Sequence, residues 1–182
     1  DRFPAVEARF VRFTIGETTQ LEPCIDELEV FTEEAAPRNV AFASLGAKAT
    51  ASSTLPGYAI HKLEHLNDGL YGNERSWISK ERGKGWVQLE LAKSERIDRV
   101  VWSRDRDNVP RYNDRLATRY RIEVSQDAVS WQTVATADDR MAFGTKVPGG
   151  VIYATEGVSP DEAGRLAGLL ARRKKLEADI TS

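Results

Sequence analysis

The chain's 182 residues are enough for one well-buried domain with an appendage, or for two very small domains. Charged residues make up 30% of the chain and hydrophobic residues 41%, ordinary globular values that argue against wholesale disorder. The formal net charge of −2 argues against a general nucleic-acid-binding protein, which needs a surplus of Lys and Arg to displace counterions from phosphates.

Cysteine content and hydropathy exclude disulfide bonds, cysteine-based metal sites and membrane-spanning helices. Cys24 is the only cysteine, so the chain has no intramolecular disulfide and no cysteine-based metal site, and we expect it to be a small buried apolar residue. No apolar run approaches the roughly 20 residues of a membrane-spanning helix. Because the sequence begins at Asp1 with no Met start and no signal peptide, we expect it to be part of a larger or processed chain.

Four segments have the sequence character of short, half-buried β-strands. In chain order they are EARFVRFTI at 7–15, ELEVF at 27–31, WVQLEL at 86–91 and RYRIEVS at 119–125. Turn-rich segments at 52–57, 80–85 and 104–115 lie between these runs. Many short strands with polar connections, and no helices alternating with them, predict an antiparallel β-sandwich.

Residues 59–66 have an apolar stripe at helical spacing and include His61, Glu64 and His65 in the order H-x-x-E-H, the ligand pattern of one class of zinc peptidases. The predicted helix begins after Gly57 and ends before an Asn-Asp-Gly turn, so it has only about two turns. A zinc peptidase needs a third ligand from another helix and a substrate cleft. Since neither is evident, we interpret the pattern as two exposed histidines on a short helix.

A second helix is predicted over residues 159–182. Ser159, Pro160 and Glu162 provide a capping serine, a proline at the first helical position and a glutamate that reaches back. An apolar stripe then continues through a basic segment, at Leu166, Leu169, Leu170, Leu176 and Ile180. We interpret this segment as an amphipathic linker or docking helix. A helix lying on a membrane surface is the alternative, because basic residues flank the leucines.

Four blocks occur in the order found in one known family. They are RNVAFASLGAKATASS, LNDGLYGNERSWIS, GWVQLELAKSERIDRVVW and YRIEVSQDAVSWQTVA, together covering residues 39–135. They resemble the blocks of coagulation factor 5/8 type C domains, also called discoidin domains, and of the family 32 carbohydrate-binding modules that share their fold. The resemblance implies an all-β, galactose-binding-like jelly-roll sandwich. The departures are Glu90, Lys93 and Ala128, the last of which replaces a turn glycine.

The family's closing element, A-R-Y-V-R followed by I-x-E-L-x-V-F, is found not at the end of the domain but at its start, over residues 8–31. This segment is either the tail of a preceding copy or the last hairpin of a circularly permuted domain. We favour permutation, because a sandwich without its closing strands would leave a core face and a sheet edge uncovered. The predicted domain then spans 1–155, with 1–32 supplying the closing strands and 38–140 the rest.

The resemblance also implies a structural calcium ion beside the Asp-Gly pair. In the family the Asp, nearby loop carbonyls and the Glu of the closing strand meet at one ion, which suits the six to eight oxygen ligands of calcium. The corresponding carboxylates here are Asp68 and Glu27, and the corresponding carbonyls are those of Asp26, His65, Leu70 and Arg75. The loop is longer than usual, and Arg75 stands where the family has a threonine. A plain Asp-Gly turn without an ion is the alternative.

Sugar-binding sites of such modules combine an aromatic ring under the apolar face of the sugar with polar donors to its hydroxyls. The loops at the expected binding end offer Tyr58, Lys80, Arg82, Arg104, Arg106, Tyr112, Asn113 and Arg115. Among these, Tyr112 is the best candidate ring and Arg104 the best donor. The alternative is a structured surface loop, in which the arginines pair with Asp105, Asp107 and Asp114. We expect Trp77, Trp86 and Trp131 to belong to the core rather than to a binding surface.

The expected function is a non-catalytic binding module for a glycan or a similar polar ligand. By the resemblance, we expect it to belong to a larger exported protein that is secreted, periplasmic or on the cell surface. The expected partners are carbohydrate or other domains of the same chain, and not nucleic acid or membrane. A purely architectural domain that packs against its neighbours is the alternative. Catalysis is not expected, because no carboxylate pair stands beside a recognisable nucleophile or base.

Overall fold

The computed structural model describes residues 1–106, 111–145 and 159–181. Antiparallel strands in a β-sandwich are followed by one C-terminal α-helix, which confirms the predicted fold class. Residues 1–144 form one compact unit and residues 145–182 a second. The predicted domain end at residue 155 lies outside the described residues.

The main sheet has six strands. The strands of the chain are β1 (Arg2–Thr18), β2 (Cys24–Ile25), β3 (Glu27–Thr32), β4 (Lys48–Ala51), β5 (Trp77–Ile78), β6 (Gly85–Ser103), β7 (Ala117–Ser125) and β8 (Gln132–Thr136). The order in the main sheet is β3-β6-β1-β7-β8, with β4 also paired to β6, and β2 and β5 form a separate two-stranded sheet. Two 3-10 helices cover Ala43–Leu45 and Leu63–His65, and α1 covers Pro160–Thr181.

The two long strands β1 and β6 organise this sheet. They pair antiparallel, with Phe13 opposite Val87, and the register shifts between Ala8 and Phe10. The first part of β6 also pairs with β4 and its last part with β3, while β1 also pairs with β7. One strand pair therefore holds every other strand of the main sheet except β8, which pairs with β7.

The first 32 residues supply strands to the same sandwich as the rest of the domain. β1 lies between β6 and β7, and β3 pairs with β6, with Leu28 opposite Trp102. The Oε1 atom of Glu27 accepts a hydrogen bond of 3.2 Å from the amide of Gly69, next to Asp68. This is the arrangement expected of closing strands, whereas circular permutation as their origin stays a prediction.

The predicted buried faces are confirmed for the strands whose alternation is regular. Val87 and Leu89 are 0% exposed and Leu91 is 1% exposed. Trp77 also lies in the core, where its indole N–H donates to the carbonyl of Ser53. Cys24 is buried as expected, and burial raises the pKa of its thiol to about 11. A thiol of that pKa carries little thiolate near neutral pH, so it is a poor nucleophile.

The prediction that Trp86 and Trp131 belong to the core is wrong. Both are half-buried and lie outside the core cluster, and both contact the Arg12 guanidinium. The central guanidinium carbon is 5.0 Å from the Trp86 ring centroid and 3.9 Å from that of Trp131, and Arg12 also donates to Gln88. Trp86 precedes the buried Val87, so strand alternation directs it to the opposite face of the sheet. Cation–π contacts, not core packing, hold these rings.

The predicted helix over residues 59–66 is also wrong. Only the single 3-10 turn at Leu63–His65 forms, and both histidines are buried rather than exposed. His61 Nδ1 lies 2.8 Å from Ser76 Oγ, and the amide of Lys62 donates to the Ser76 carbonyl. These bonds to a segment 15 residues away satisfy the backbone that a helix would otherwise satisfy locally. Tertiary pairing therefore overrides the local apolar spacing.

The C-terminal helix begins as predicted. Ser159 donates from its amide and its hydroxyl to Glu162 Oε2, at 3.0 and 2.8 Å, and the Glu162 amide donates back to Ser159 Oγ at 3.3 Å. Leu169 and Leu176 are 58% and 54% exposed, and the side chain of Ile180 lies outside the description. No described helix is long and apolar enough to span a membrane. A linker or docking role for α1 stays a prediction.

The turn between β7 and β8 generates the first testable prediction. Ala128 has a φ of +61°, a left-handed conformation that costs an L-residue about 1–2 kcal/mol. We predict that Ala128→Gly raises the free energy of unfolding by about 1 kcal/mol, because relief of strain exceeds the entropy that glycine loses on folding. Denaturant titration measures the change. Ala135→Gly, within β8, is the control and should lower stability; a glycine at 128 that also lowered it would contradict the prediction.

Candidate ligand-binding site

Four of the predicted ligand-binding residues meet at one small cavity. Tyr58, Arg104, Tyr112 and Arg115 line it, and the sequence-based predictions missed its other lining residues, which are Leu55, His61, Asn73, Ile78 and Asp114. Its volume is about 180 Å³. Since pockets for drug-sized ligands measure roughly 300–1,000 Å³, this cavity, here called the tyrosine pocket, suits one edge of a small polar unit.

Two tyrosine rings border the tyrosine pocket. Tyr58 is 55% exposed and Tyr112 is 47% exposed. The Asp105 carboxylate accepts hydrogen bonds from the amides of Arg111 and Tyr112, at 2.6 and 2.9 Å, and so holds the backbone that carries Tyr112. The Tyr58 ring lies 5.6 Å from the His61 ring at an interplanar angle of 54°. Both rings are thus about half exposed, with Tyr58 in contact with His61 and Tyr112 on a backbone that Asp105 holds.

Arg104 follows directly after β6 and is almost completely buried. Its Nε and Nη2 donate to the carbonyl and carboxylate of Asp114, at 2.9 and 2.8 Å, and its Nη1 donates to Asn73 Oδ1 at 3.0 Å. The guanidinium lies 5.4 Å from the Tyr112 ring centroid. Protein partners therefore use much of its donor capacity. Arg104 fixes the pocket wall and contributes positive charge, and its direct donation to a ligand stays a prediction.

Arg115 lies opposite, in a strained conformation with a φ of +61°. Its amide donates to the Gln20 carbonyl at 3.1 Å, and its own carbonyl accepts from the Cys24 amide at 3.2 Å. The side chain pairs with the Glu22 carboxylate and lies 3.5 Å from Asp114 Oδ2. Backbone bonds on both sides thus hold a conformation that costs a residue of this type about 1–3 kcal/mol.

The electrostatic potential inside the tyrosine pocket is positive at His61. Burial, followed by the charges of Arg104 and Arg115, lowers the pKa of His61 below its usual 6.5. The imidazole is therefore neutral at physiological pH. Such a field favours electron-rich groups of a ligand, such as hydroxyl or carboxylate oxygens.

The other predicted ligand-binding residues lie away from this pocket. Arg106 donates to Glu29 at 2.7 Å and lies over the Tyr71 ring, at 4.4 Å from its centroid. Arg82 lines a separate groove beside β1. Asn113 contributes a backbone carbonyl to Thr19, and Lys80 is exposed. Side chains that lie two residues apart on these loops point in different directions, which sequence spacing alone does not reveal.

The alternative prediction, in which the arginines of this loop pair with its aspartates, is compatible with the pocket. Asp114 pairs with Arg104, and Asp105 caps the backbone of the same loop. Asp107 lies outside the described residues. The ion pair of Arg104 with Asp114 therefore forms part of the pocket wall and leaves the pocket open.

Little in the sequence indicates that His61 and Asn73 line the pocket. His61 was interpreted as exposed because a local helix was expected. Asn73 lies in the loop after Asp68-Gly69, which the sequence shows to be longer than usual without indicating what its residues contact. Its side chain accepts from Arg104 and its carbonyl accepts from Ser76 Oγ, so it joins the loop to the pocket wall.

A larger cavity, of about 550 Å³, lies elsewhere on the sandwich. Its walls include Trp102, Tyr120, Met141 and Phe143. None of the eight predicted ligand-binding residues lines it. It is therefore the alternative location to be compared with the tyrosine pocket in any binding experiment.

Some of the residues expected at calcium lie close together, with Asp68 bonded to Leu70 and Arg75 and Glu27 bonded to Gly69. Glu27 is 0% exposed and its carboxyl accepts only from the Gly69 amide among the bonds described, at 3.2 and 3.3 Å. Burial, together with the nearby Asp68, Glu29 and Asp26 carboxylates, raises the pKa of Glu27 to about 8. A buried carboxyl among other carboxylates favours its protonated form unless a cation lies close to it.

Asp68, the second expected carboxylate, is paired with a protein cation. Its Oδ1 accepts from the Leu70 amide at 2.9 Å, and its Oδ2 accepts from Arg75 Nε at 3.0 Å and pairs with Arg75 Nη2. Within the described part of the chain, no three His, Cys, Asp or Glu side chains are grouped to hold a metal. Because the Arg75 guanidinium already balances the Asp68 carboxylate, the donor set fits a calcium ion poorly, and calcium binding stays a prediction.

The lowered pKa of His61 generates a prediction about pH. The unfolded chain takes up a proton near pH 6.5 that the folded chain still excludes, so this residue reduces stability as the pH falls below that value. We predict that His61→Asn, which cannot take up this proton, flattens the loss of unfolding free energy between about pH 7 and about pH 5. Denaturant titrations of both proteins across that range measure it. Parallel pH profiles for the two would contradict the assignment.

Comparison with known proteins agrees with the fold. The model of the F5/8 type C domain matches residues 48–154, more than half of the chain and a span that includes β4 to β8 and most of the tyrosine pocket. Searches of curated proteins and of solved structures found no match. Domains of this family bind carbohydrates or other molecules, are typically non-catalytic and usually belong to extracellular or secreted proteins. The chain therefore belongs to the F5/8 type C, or discoidin, domain family.

Proposed function

We propose that the chain is a non-catalytic module of a larger exported protein and that it binds a glycan at the tyrosine pocket. The observation that carries this proposal is the pair of half-exposed rings, Tyr58 and Tyr112, beside a cavity walled by fixed polar groups. Membership of a family of binding modules supports it.

The polar groups of the pocket match the chemistry of sugar hydroxyls, which both donate and accept hydrogen bonds. Asp114, with its side chain 31% exposed, offers an acceptor, while Asn73 and the two arginines supply amide and guanidinium N–H groups. Tyrosine rings add contact area on the apolar face of a pyranose at a low cost in conformational entropy. The small volume favours one terminal sugar unit over a long internal stretch of polysaccharide.

A hydrolytic role has little support from the same geometry. His61 and Ser76 form a histidine–serine pair, but Ser76 is 0% exposed and its hydroxyl donates to the Asn73 carbonyl at 3.0 Å. A nucleophile must reach the substrate and share its proton with the base. This pair does neither, so it positions the loop rather than acting on a ligand.

The proposal predicts which side chains determine affinity. Once an array of neutral and acidic glycans has identified a ligand for the whole chain, Tyr112→Ala and Tyr58→Ala should each weaken its binding about tenfold, because each removes a ring worth roughly 1 kcal/mol or more. Isothermal titration calorimetry measures the affinities. Phe143→Ala is the matched control, since it removes an equally exposed ring from the larger cavity.

Two outcomes would contradict the proposal in different ways. Equal affinity in wild type and both tyrosine variants, with weaker binding by Phe143→Ala, would move the site to the larger cavity. Binding to no glycan on the array would favour the architectural alternative, in which the domain packs against other domains of the same chain.

A further inference from the structure

We propose that Arg75 supplies, in the loop from Asp68 to Trp77, the positive charge that a calcium ion supplies in other members of the family. This sandwich would then reach full stability without a metal ion. The inference concerns a different part of the domain from the tyrosine pocket and does not depend on glycan binding.

The position of Arg75 in sequence and in space supports the substitution. It stands two residues before Trp77, where the family pattern has a threonine. Its guanidinium instead bonds one Asp68 oxygen through both Nε, at 3.0 Å, and Nη2. The Asp68 side chain is 17% exposed and that of Arg75 is 44% exposed, so the carboxylate is shielded while the guanidinium is partly in contact with solvent. The positive charge thus comes from the loop itself.

Protein groups also close the loop where an ion would gather its carbonyls. The Arg75 amide donates to the Gly72 carbonyl at 3.0 Å, and the Gly72 amide donates to Asp26 Oδ2 at 2.9 Å. Gly69 and Gly72 have φ values of +82° and +102°, which allow these reversals of the backbone. Hydrogen bonds within the chain therefore give the loop its shape.

A second arginine balances the neighbouring acids. Arg106 donates from Nη1 to Glu29 Oε2 at 2.7 Å and from its amide to Asp26 Oδ2 at 2.8 Å. The hydroxyl of Tyr71 donates to the other Glu29 oxygen at 3.1 Å, and that of Ser103 donates to Asp26. Protein donors thus satisfy Asp26 and Glu29, whereas Glu27 accepts only from the Gly69 amide among the bonds described.

Guanidinium chemistry suits this replacement. Arginine stays charged at any physiological pH and presents a rigid planar set of N–H donors that fits a carboxylate. Because it is covalently tethered, it cannot dissociate at low calcium concentration. It also pairs with Asp68, the carboxylate that the family resemblance assigns to the ion, so the two cations would compete for the same charge.

The test is thermal unfolding of the whole chain, freed of metal, in chelator and in about 5 mM calcium, which exceeds the dissociation constants typical of extracellular calcium modules. Wild type should show the same melting temperature in both. Arg75→Thr, which restores the family residue, should melt about 3 °C lower in chelator and recover in calcium. Asp68→Asn, which removes the shared carboxylate charge, should melt lower without recovering in calcium.

Matched variants separate charge from general damage. Arg96→Ala, which removes an exposed arginine–Glu33 pair at 2.6 Å, should hardly change the melting temperature. Arg75→Lys keeps the charge and should fall between wild type and Arg75→Thr, so it remains informative if the threonine variant does not fold. A rise of the wild-type melting temperature in calcium would overturn the proposal. So would an Arg75→Thr protein as stable in chelator as Arg96→Ala.

Discussion

The pairing of β1 with β6 is the contact on which the rest of the domain depends. Each strand is long enough to bend and to change partners along its length, so β3, β4 and β7 all attach to this pair. Its inner side supplies buried residues such as Phe13 and Leu89, and its outer side carries the Arg12 guanidinium in contact with two tryptophan rings. A segment at the start of the chain thus becomes the centre of the sheet. The non-local nature of this contact also implies slow folding relative to helical domains of similar size.

The three residues that follow β6, Arg104 to Arg106, make polar contacts in two different parts of the domain. Arg104 turns towards Tyr112 and Asp114, whereas Arg106 turns towards Glu29. The intervening Asp105 holds the backbone of the loop that carries Tyr112. This short segment therefore contributes to the wall of the tyrosine pocket and also places an arginine beside Glu29. Charge pairing at both places is partly buried, where the loss of either partner costs more than it would on an open surface.

The tyrosine pocket and the Asp68 loop are stabilised by different interactions. The tyrosine pocket contains neutral His61, charged arginines and exposed rings, an arrangement that leaves polar groups available to a ligand. The Asp68 loop is instead closed on itself, because Arg75 and backbone amides occupy the carboxylate oxygens that face it. If both proposals hold, a domain of this family keeps an open ligand site while an arginine replaces its ion.

The sequence by itself determined the features that follow from local rules. Period-two alternation placed Val87, Leu89 and Leu91 in the core, the capping pattern located the start of α1, and ordered blocks identified the family. Only the tertiary structure decided the burial of His61 and the pairing of Arg75 with Asp68. It also decided that Trp86 and Trp131 contact Arg12 and that Arg104 and Arg106 diverge. The physical reason is that a strand's faces are set by its own backbone geometry, whereas a loop's hydrogen bonds depend on partners that folding brings from distant parts of the chain.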